Sequence, residues 1–169
     1  MHKNDSVCCR IVICIYSYRG MIVMSDEQIE QRSEEYVSLR YAQYSIYERY
    51  AKKFGLGYKS LFVLRMLYTS PEGCTQNDIC RFSVISKQTV SAIMKSYLSK
   101  GYISMEEIAA DRRNKLVKLT EEGRKYADKI IPTIIKAEHD SMALLGDEKQ
   151  AELIKLCMTY AENLSKLIK

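Results

Sequence analysis

Apolar residues recur at helical spacing through most of this chain, and the pattern is clearest near its middle. Every third or fourth position after Ser86 is apolar as far as Gly101, so this stretch predicts a helix with one buried face. Ser86 is a good N-cap because its hydroxyl can accept from an amide of the first turn, and Gly101 supplies a left-handed stop. The predicted buried positions are Val90, Ile93, Met94, Tyr97 and Leu98.

A shorter helix is predicted just before this one. Thr75 is a candidate N-cap with Asp78 three residues on, a weaker form of the capping box. Ile79, Cys80 and Phe82 would then pack against the buried face of the following helix. The two helices and the turn between them predict a helix-turn-helix.

Two strands are predicted after Gly101, because residues 102–106 read as one strand and residues 115–119 alternate cleanly between apolar and polar. Residues 109–114 lie between them, in a segment too short for a helix and long enough for a hairpin tip. This tip carries Arg112 and Arg113. A small β-wing is therefore expected directly after the helix pair.

Long helices are predicted before this unit. Ser25 and Gln28 form a capping box at the start of a helix that runs to about Phe54. Gly55 and the residues around it break that helix, and residues 61–67 then read as a mostly buried second helix.

The end of the chain is also predicted to be helical. Thr120 caps a helix whose first turn is acidic, which favours the helix N-terminus. Pro132 removes a backbone hydrogen bond, so we expect a kink or break near Ile131. Asp147 is expected to cap a last helix after Gly146. One side of that helix carries Leu153, Ile154, Leu156, Cys157, Tyr160, Ala161, Leu164, Leu167 and Ile168.

These elements predict a mostly α fold with a small β-wing. The winged helix-turn-helix spans residues 55–120, and helical dimerisation segments span residues 25–54 and 121–169. An apolar terminal helix has to bury its stripe against something. Because the first and last helices lie outside the compact winged unit, the natural partner is a second copy, and we expect a two-fold homodimer.

Residues 1–24 stand apart from this plan. Residues 7–16 are apolar but are interrupted by Arg10 and are far too short to span a bilayer. Residues 17–20 make a poor signal-peptide cleavage site, and Met21 and Met24 are alternative starts. We interpret this segment as an upstream extension, disordered or not translated in the cell, without a role in the fold. A membrane-surface or partner-binding segment is the alternative.

Charge points to a polyanionic partner for the middle of the chain. The net charge is +5, and residues 75–119 hold eight basic and four acidic residues, a local charge of +4. This excess forms an electrostatic footprint suited to phosphate. The outer face of the helix after Ser86 contains no carboxylate. Its residues are Lys87, Gln88, Thr89, Ser91 and Lys95.

That outer face is compatible with a major groove, where the first turns of a helix meet base edges. Gln88 suits adenine, and Lys87 suits guanine or a phosphate. Two arginines at a hairpin tip can reach the narrow minor groove, and Asp111 can orient one of them. Considered alone, the outer face of the helix could be an ordinary solvated helix face. The hairpin tip with its two arginines could likewise be an ordinary solvated turn.

The sequence SKQTVSAIMKSYLSKGYI, followed by DRRNKLVKLTEEGRKYA, resembles the MarR family of bacterial transcription regulators. The wing motif of that family falls on Asp111, Arg113, Leu119 and Thr120. The resemblance extends from about Ser25 to the C-terminus and is strongest over residues 75–127. It implies a dimer, a recognition helix in the major groove and Arg113 in the minor groove. The implied recognition-helix positions are Ser86, Lys87, Gln88, Thr89 and Ser91, and we add Lys95, Arg112 and Lys115 as expected DNA contacts.

The expected function is therefore sequence-specific binding of double-stranded DNA by a cytoplasmic homodimer, most simply as a repressor on a pseudo-palindromic operator. In the resembled family, effectors bind where the first two helices meet the recognition unit. Tyr44, Tyr47 and Tyr58 could form a wall there that stacks an aromatic small molecule. Simple packing of these rings is the alternative.

Three other functions are alternatives to this one. A thiol switch of the same fold would need a reactive cysteine, and Cys74 qualifies only if it is exposed and has a low pKa. A winged helix that binds only proteins would make Arg113 and Lys87 dispensable. An enzyme is not expected, because no phosphate-binding loop or catalytic constellation is present. The six cysteines and two histidines show no metal-ligand spacing, so neither metal nor cofactor is expected, and the thiols should be reduced.

Overall fold

A computed structural model describes residues 24–83, 85–108 and 111–168. The predicted extension at residues 1–24 therefore lies outside the described residues except for Met24, and so do Ala109 and Ala110 of the predicted hairpin tip. The described residues form seven helices and three strands. In chain order these are α1 (Asp26–Lys52), α2 (Tyr58–Thr69), β1 (Cys74–Thr75), α3 (Gln76–Phe82), α4 (Lys87–Ser99), β2 (Ile103–Ile108), β3 (Asp111–Leu119), α5 (Glu121–Asp128), α6 (Ile131–Ala143) and α7 (Asp147–Leu167).

The chain divides into two compact units, Met1–Gln43 and Tyr44–Lys169. In the first unit, the described residues belong mainly to the first part of α1. The predicted capping box at its start is present: Gln28 N donates to Ser25 Oγ at 3.3 Å, and Ser25 N donates to Gln28 Oε1 at 3.0 Å. Two otherwise unpaired amides are satisfied in this way, which fixes where the helix begins.

The second unit contains the hydrophobic core. Residues from α2, α3, α4 and β3 supply most of its fully buried side chains, and the start of α6 closes it. The largest of these side chains are Tyr97, Leu64, Leu67, Ile79, Met94, Ile130, Ile131, Val63, Val90 and Val117. Burial of a side chain of this size contributes about 1.5–3 kcal/mol, so this cluster is what holds the winged unit together.

The caps predicted for the helix pair are present. Thr75 Oγ1 accepts from Asp78 N at 3.1 Å, and Asp78 Oδ2 accepts from Thr75 N at 2.9 Å. Ser86 Oγ accepts from Thr89 N at 3.3 Å, and Gly101 has a φ of +71°. Short-range capping chemistry thus sets both ends of the recognition unit.

The sheet contains one more strand than predicted. Cys74 and Thr75 pair with Val117 and Leu116, which gives an antiparallel sheet in the order β1-β3-β2. A strand of only two residues shows no alternation along the sequence, and for this reason the pattern did not reveal it.

The hairpin is also longer than predicted. β2 continues to Ile108 and β3 begins at Asp111, so that Ile108 pairs with Asp111 after a register shift. The prediction of a tip at residues 109–114 was too wide. The backbone of Asp111, Arg112 and Arg113 belongs to β3, and the register shift falls between Asp111 and Lys115 on that strand.

Two predicted apolar contacts are wrong, and a further apolar residue near the end of the chain is also exposed. Phe82 was expected to pack against the following helix, yet 69% of it is exposed. Leu98 was expected on the buried face of α4 and is 47% exposed, because the buried stripe ends at Tyr97 where the core ends. Leu144 is 89% exposed, since α6 has left the core by that point.

The predicted break before Pro132 is present. α5 ends at Asp128 and α6 begins at Ile131, so Pro132 lies in a first helical turn, where its missing N–H would have had no partner. The N-cap of α7 is Gly146, with a φ of +75°, instead of the predicted Asp147, which lies in the first turn. α7 is described in full and buries none of its side chains.

Candidate nucleic-acid interface

Helix α4 presents a polar face at its N-terminal end. Lys87, Gln88 and Lys95 are exposed, as the sequence predicts, whereas Thr89 and Ser91 are half-buried. The hydroxyls of Ser86 and Thr89 lie 2.9 Å apart and share a hydrogen bond. Lys87 and Gln88, the two long side chains of the first turn, are therefore the most accessible there. Thr89 also supports the N-cap through its hydrogen bond with Ser86.

The opposite face of α4 is anchored in the core. Val90, Ile93 and Met94 are buried there, and the phenol of Tyr97 donates to the carbonyl oxygen of Ser60 at 2.8 Å. Burial raises the pKa of Tyr97 far above its ordinary value, so the phenol stays a neutral donor. The orientation of α4 on α2 is fixed by packing together with this bond.

Two side chains at the start of α3 reach the elements on either side. Gln76 Nε2 donates to the backbone carbonyl of Lys87 at 3.1 Å, and Asn77 Nδ2 donates to Asn114 Oδ1 at 2.6 Å. Sequence analysis missed both residues. The partners lie 11 and 37 residues away, beyond the reach of any capping or helix-spacing rule.

The described part of the wing carries basic residues on β3, the central strand of the sheet. Lys115 is exposed on β3, and Lys118 pairs with Glu106 of β2 at 3.2 Å. The backbone of Arg112 and Arg113 precedes Asn114 on the same strand, while their side chains lie outside the described part of the chain. Arg112 and Arg113 therefore directly precede Asn114, the residue that binds Asn77 of α3.

The three tyrosines singled out by sequence meet. Tyr58 lies edge-on to Tyr44 with ring centroids 5.3 Å apart, and its centroid is 6.2 Å from that of Tyr47. Tyr58 and Phe62 line two cavities of about 270 and 230 Å³. The larger cavity is lined by Tyr44, Tyr58, Lys59, Phe62, Phe82, Ser83 and Ile85, and the smaller by Tyr47, Tyr58, Leu61, Phe62, Arg65, Ile134 and Glu138.

A polar triad lines the smaller cavity. Glu138 Oε1 accepts from the Tyr47 phenol at 2.8 Å and from Arg65 Nη1 at 2.5 Å. Burial, and then the bond to Glu138, raises the pKa of Tyr47 to about 12, and the same carboxylate raises the pKa of Arg65. Sequence analysis missed Arg65 and Glu138 because 73 residues separate them.

The described fold and geometry have counterparts among known proteins. A model of the MarR family matches residues 54–114. NMB1585, a MarR family regulator from Neisseria meningitidis, is 27% identical, with a TM-score of 0.69 over 86% of this chain and 97% of that chain. AbsC, a MarR family transcriptional regulator from Streptomyces coelicolor, is 23% identical, with a TM-score of 0.67 over 87% and 99%. The resemblance to the MarR family is confirmed.

The MarR model covers α2, the helix pair and the start of β3, which are the elements that carry the candidate interface. S. aureus MepR in complex with DNA has the same fold, with 21% identity and a TM-score of 0.65 over 79% of this chain and 97% of that chain. A comparison with curated protein sequences finds no match. These findings show that the chain resembles MarR family transcription regulators, and they confirm the predicted mostly α, winged fold.

The thiol-switch hypothesis required an exposed Cys74 with a low pKa, and neither condition is met. Cys74 is buried, and its desolvation, together with the nearby Asp78 carboxylate, raises the pKa of the thiol to about 11. A buried, protonated thiol is a poor nucleophile. Cys80 is half-buried and Cys157 is exposed on α7.

No group of three or more His, Cys, Asp or Glu residues in the described ranges is arranged to hold a metal ion. None of the helices in those ranges is both long and apolar enough to cross a membrane.

Proposed function

We propose that this MarR-like protein is a sequence-specific regulator that binds double-stranded DNA as a homodimer. The observation that carries the proposal is the polar N-terminal end of α4, where Lys87 and Gln88 project from a helix whose other face is locked into the core. α4 contains no acidic residue, so phosphates can approach it without repulsion from its own carboxylates. MepR, which shares the fold, was solved with DNA.

The contacts divide into two groups. Lys87 and Gln88 read base edges in the major groove, while Ser86, Thr89, Ser91 and Lys95 supply shorter or backbone contacts along the same face. The hydroxyls of Thr89 and Ser91 are less available than those of fully exposed residues because both side chains are half-buried. Arg113 enters the minor groove from the wing, with Arg112 and Lys115 on adjacent phosphates.

A second copy of the chain covers the apolar side of α7. Leu156, Ile154 and Leu167 are each at least half-exposed there, an unusual concentration for a lone surface helix. A homodimer buries this stripe and places two recognition helices about one DNA turn apart, which suits a pseudo-palindrome. Occupation of such an operator in the cytoplasm would exclude polymerase and make the protein a repressor.

The two cavities beside Tyr58 are the proposed effector site. Tyr44 supplies an aromatic wall on one side, and Tyr47 supplies a phenol on the other. An aromatic ligand can stack on these rings while its polar group meets Arg65 or Glu138. Release from DNA follows if the ligand prefers a dimer whose recognition helices have the wrong spacing.

The test is fluorescence anisotropy of labelled duplex from the upstream region of the protein's own gene, beside a scrambled duplex. Preference for the first duplex, affinity that falls steeply with salt, and a loss of about 1–3 kcal/mol in Arg113→Ala are expected. Lys129→Ala is the matched control, because it removes one cation from the end of α5, away from the proposed contacts. Equal weak binding to both duplexes, unchanged by Arg113→Ala, would exclude sequence-specific binding and leave a protein-interaction module.

A further inference from the structure

Five consecutive residues, Cys74–Asp78, join the wing to the helix pair. Cys74 and Thr75 form the edge strand beside β3, and Thr75 is also the N-cap of α3. Hydrogen bonds between Thr75 and Asp78 in both directions close this junction. The Thr75 hydroxyl donates to Asp78 Oδ2 at 2.7 Å, and this bond, followed by the one from the Thr75 amide, holds the pKa of Asp78 below its ordinary value. The carboxylate therefore stays ionised as an acceptor. α3 therefore starts at a fixed point relative to the sheet.

Gln76 extends from that fixed point toward α4. Its side-chain amide donates to the carbonyl oxygen of Lys87, the first residue of α4, at 3.1 Å. The peptide unit that it holds lies immediately before Gln88. A shift of the first turn of α4 would break this bond, so Gln76 opposes such a shift.

Asn77 extends toward the wing. Its amide donates to Asn114 Oδ1 at 2.6 Å, and Asn114 lies between Arg113 and Lys115 on β3. Asn77 is exposed, so the bond adds little to the hydrophobic core. Its location matters more, because the bond ties the basic part of β3 to α3 on the side of the unit that is proposed to face DNA.

We infer that Gln76 and Asn77 are positioning residues that set the spacing between the recognition helix and the wing. This inference rests on the proposed function, since the spacing matters only if α4 and the wing reach adjacent grooves of one duplex. Each amide acts through another residue: Gln76 through Lys87 and Gln88, and Asn77 through Asn114 and the arginines before it. A pre-set spacing avoids the entropic cost of ordering the wing when DNA binds.

The test is a set of double-mutant cycles read by anisotropy on the preferred duplex. Asn77→Ala and Asn114→Ala should each weaken binding about fivefold, the equivalent of one ordinary hydrogen bond, and together no more than either alone. In an Arg113→Ala background, Asn77→Ala should cost little more. In the same way, Gln76→Ala should cost little further DNA affinity in a Gln88→Ala background. Its loss of affinity should add to that of Arg113→Ala, because Gln76 does not act through the wing.

A second readout separates positioning from general stabilisation. If the bond aims the wing, Asn77→Ala should also reduce the preference for an A·T-rich over a G·C-rich flank at the minor-groove contact, with the midpoint of thermal unfolding unchanged. Alanine is a good helix former, so α3 should fold in both variants. Asn77→Ser, which keeps a shorter polar group, should recover little, because a hydroxyl there cannot span the same gap.

The outcomes are distinguishable. If Asn77→Ala weakens binding additively with Arg113→Ala while Asn114→Ala has no effect, Asn77 contacts DNA itself and the inference is overturned. Normal binding by both asparagine variants overturns it as well, and the proposed function survives if Arg113→Ala still binds poorly. Failure of the wild-type protein to bind any duplex overturns both.

Discussion

The phenol of Tyr97, near the end of α4, donates to the carbonyl oxygen of Ser60, in the first turn of α2. This bond joins the recognition helix to the helix beneath it, 37 residues away in the chain. Tyr97 is among the largest fully buried side chains, and its hydroxyl is the only polar atom that it brings into the core. Tyr97 therefore contributes both apolar packing and a hydrogen bond to the contact between α4 and α2.

Tyr97→Phe should lower the free energy of unfolding by about 1 kcal/mol, the typical net value of one hydrogen bond, because the ring still fills its site. Urea unfolding followed by circular dichroism measures this. Tyr44→Phe is the matched control, since that ring is 45% exposed and its change should have little effect. Equal midpoints for both variants would show that the Tyr97 bond contributes nothing net.

Local chemistry explains which parts of this fold the sequence predicts. The caps at Ser25, Thr75, Ser86 and Thr120 involve groups three residues apart, so the pattern alone locates the helix starts. The break before Pro132 follows from its missing N–H in the same way. Each of these features depends only on neighbours in the chain.

Long-range contacts explain what the sequence did not reveal. Helical spacing predicts that Phe82 lies on an apolar face of its helix. Periodicity does not show whether another element covers that face, and at Phe82 the core has ended, so the side chain is exposed. Arg65 and Glu138 read as ordinary surface charges until the fold brings them together. The polar half of the candidate effector site therefore became visible only in three dimensions.

Gly123→Ala should be strongly destabilising. A Cβ built at Gly123 would lie 1.8 Å from the carbonyl oxygen of Tyr102, so α5 or the start of the wing would have to move. Such a clash between a side-chain carbon and a backbone carbonyl oxygen should cost about 3 kcal/mol, the upper end of the usual range for overpacking. Gly101→Ala is the comparison, because a Cβ there meets open space and its φ of +71° alone costs about 1–2 kcal/mol. Thermal unfolding of both variants gives the ranking, and a smaller effect at Gly123 would contradict the close approach.

Alkaline pH should destabilise the protein partly through Tyr47. Its pKa is raised to about 12 in the folded state by burial and by the bond to Glu138, whereas in the unfolded chain it is near 10. A raised pKa means that the neutral form is favoured by folding. The stabilisation is therefore complete below about pH 10 and is lost as pH rises toward about 12.

Urea unfolding of wild type and Tyr47→Phe between about pH 9 and pH 11.5 measures this contribution. The free energy of unfolding should fall more steeply with pH in the wild type than in the variant. Parallel curves for wild type and Tyr47→Phe would show that the Tyr47 phenol has the same pKa in both states.

The cysteines should differ sharply in reactivity. Cys157 is exposed on α7, whereas Cys74 is buried with a pKa raised to about 11, so little thiolate forms there at neutral pH. In a monomeric variant, in which the apolar side of α7 is uncovered, pulsed iodoacetamide labelling with peptide mass spectrometry should modify Cys157 first and Cys74 only after denaturation. DNA affinity should also survive mild peroxide. Rapid labelling of Cys74 in the native protein would revive the thiol-switch hypothesis.

The last prediction concerns the apolar stripe of α7. Leu156 is 60% exposed in a single chain, and the proposed homodimer would bury it. Leu156→Asp should place a carboxylate in that interface and shift the protein toward monomer by several kcal/mol, because an unpaired charge is costly to desolvate. Lys100→Asp introduces the same group at the end of α4, outside the segments expected to dimerise, and should leave assembly unchanged.

Sedimentation velocity over a range of concentrations reads the assembly state of both variants. A monomeric Leu156→Asp should also bind a two-half-site duplex weakly, since each recognition helix would then have to bind without the other. An unchanged dimer would mean that the interface lies elsewhere on the chain. A monomer that still binds the full duplex with wild-type affinity would separate assembly from DNA recognition and remove the reason for a palindromic operator.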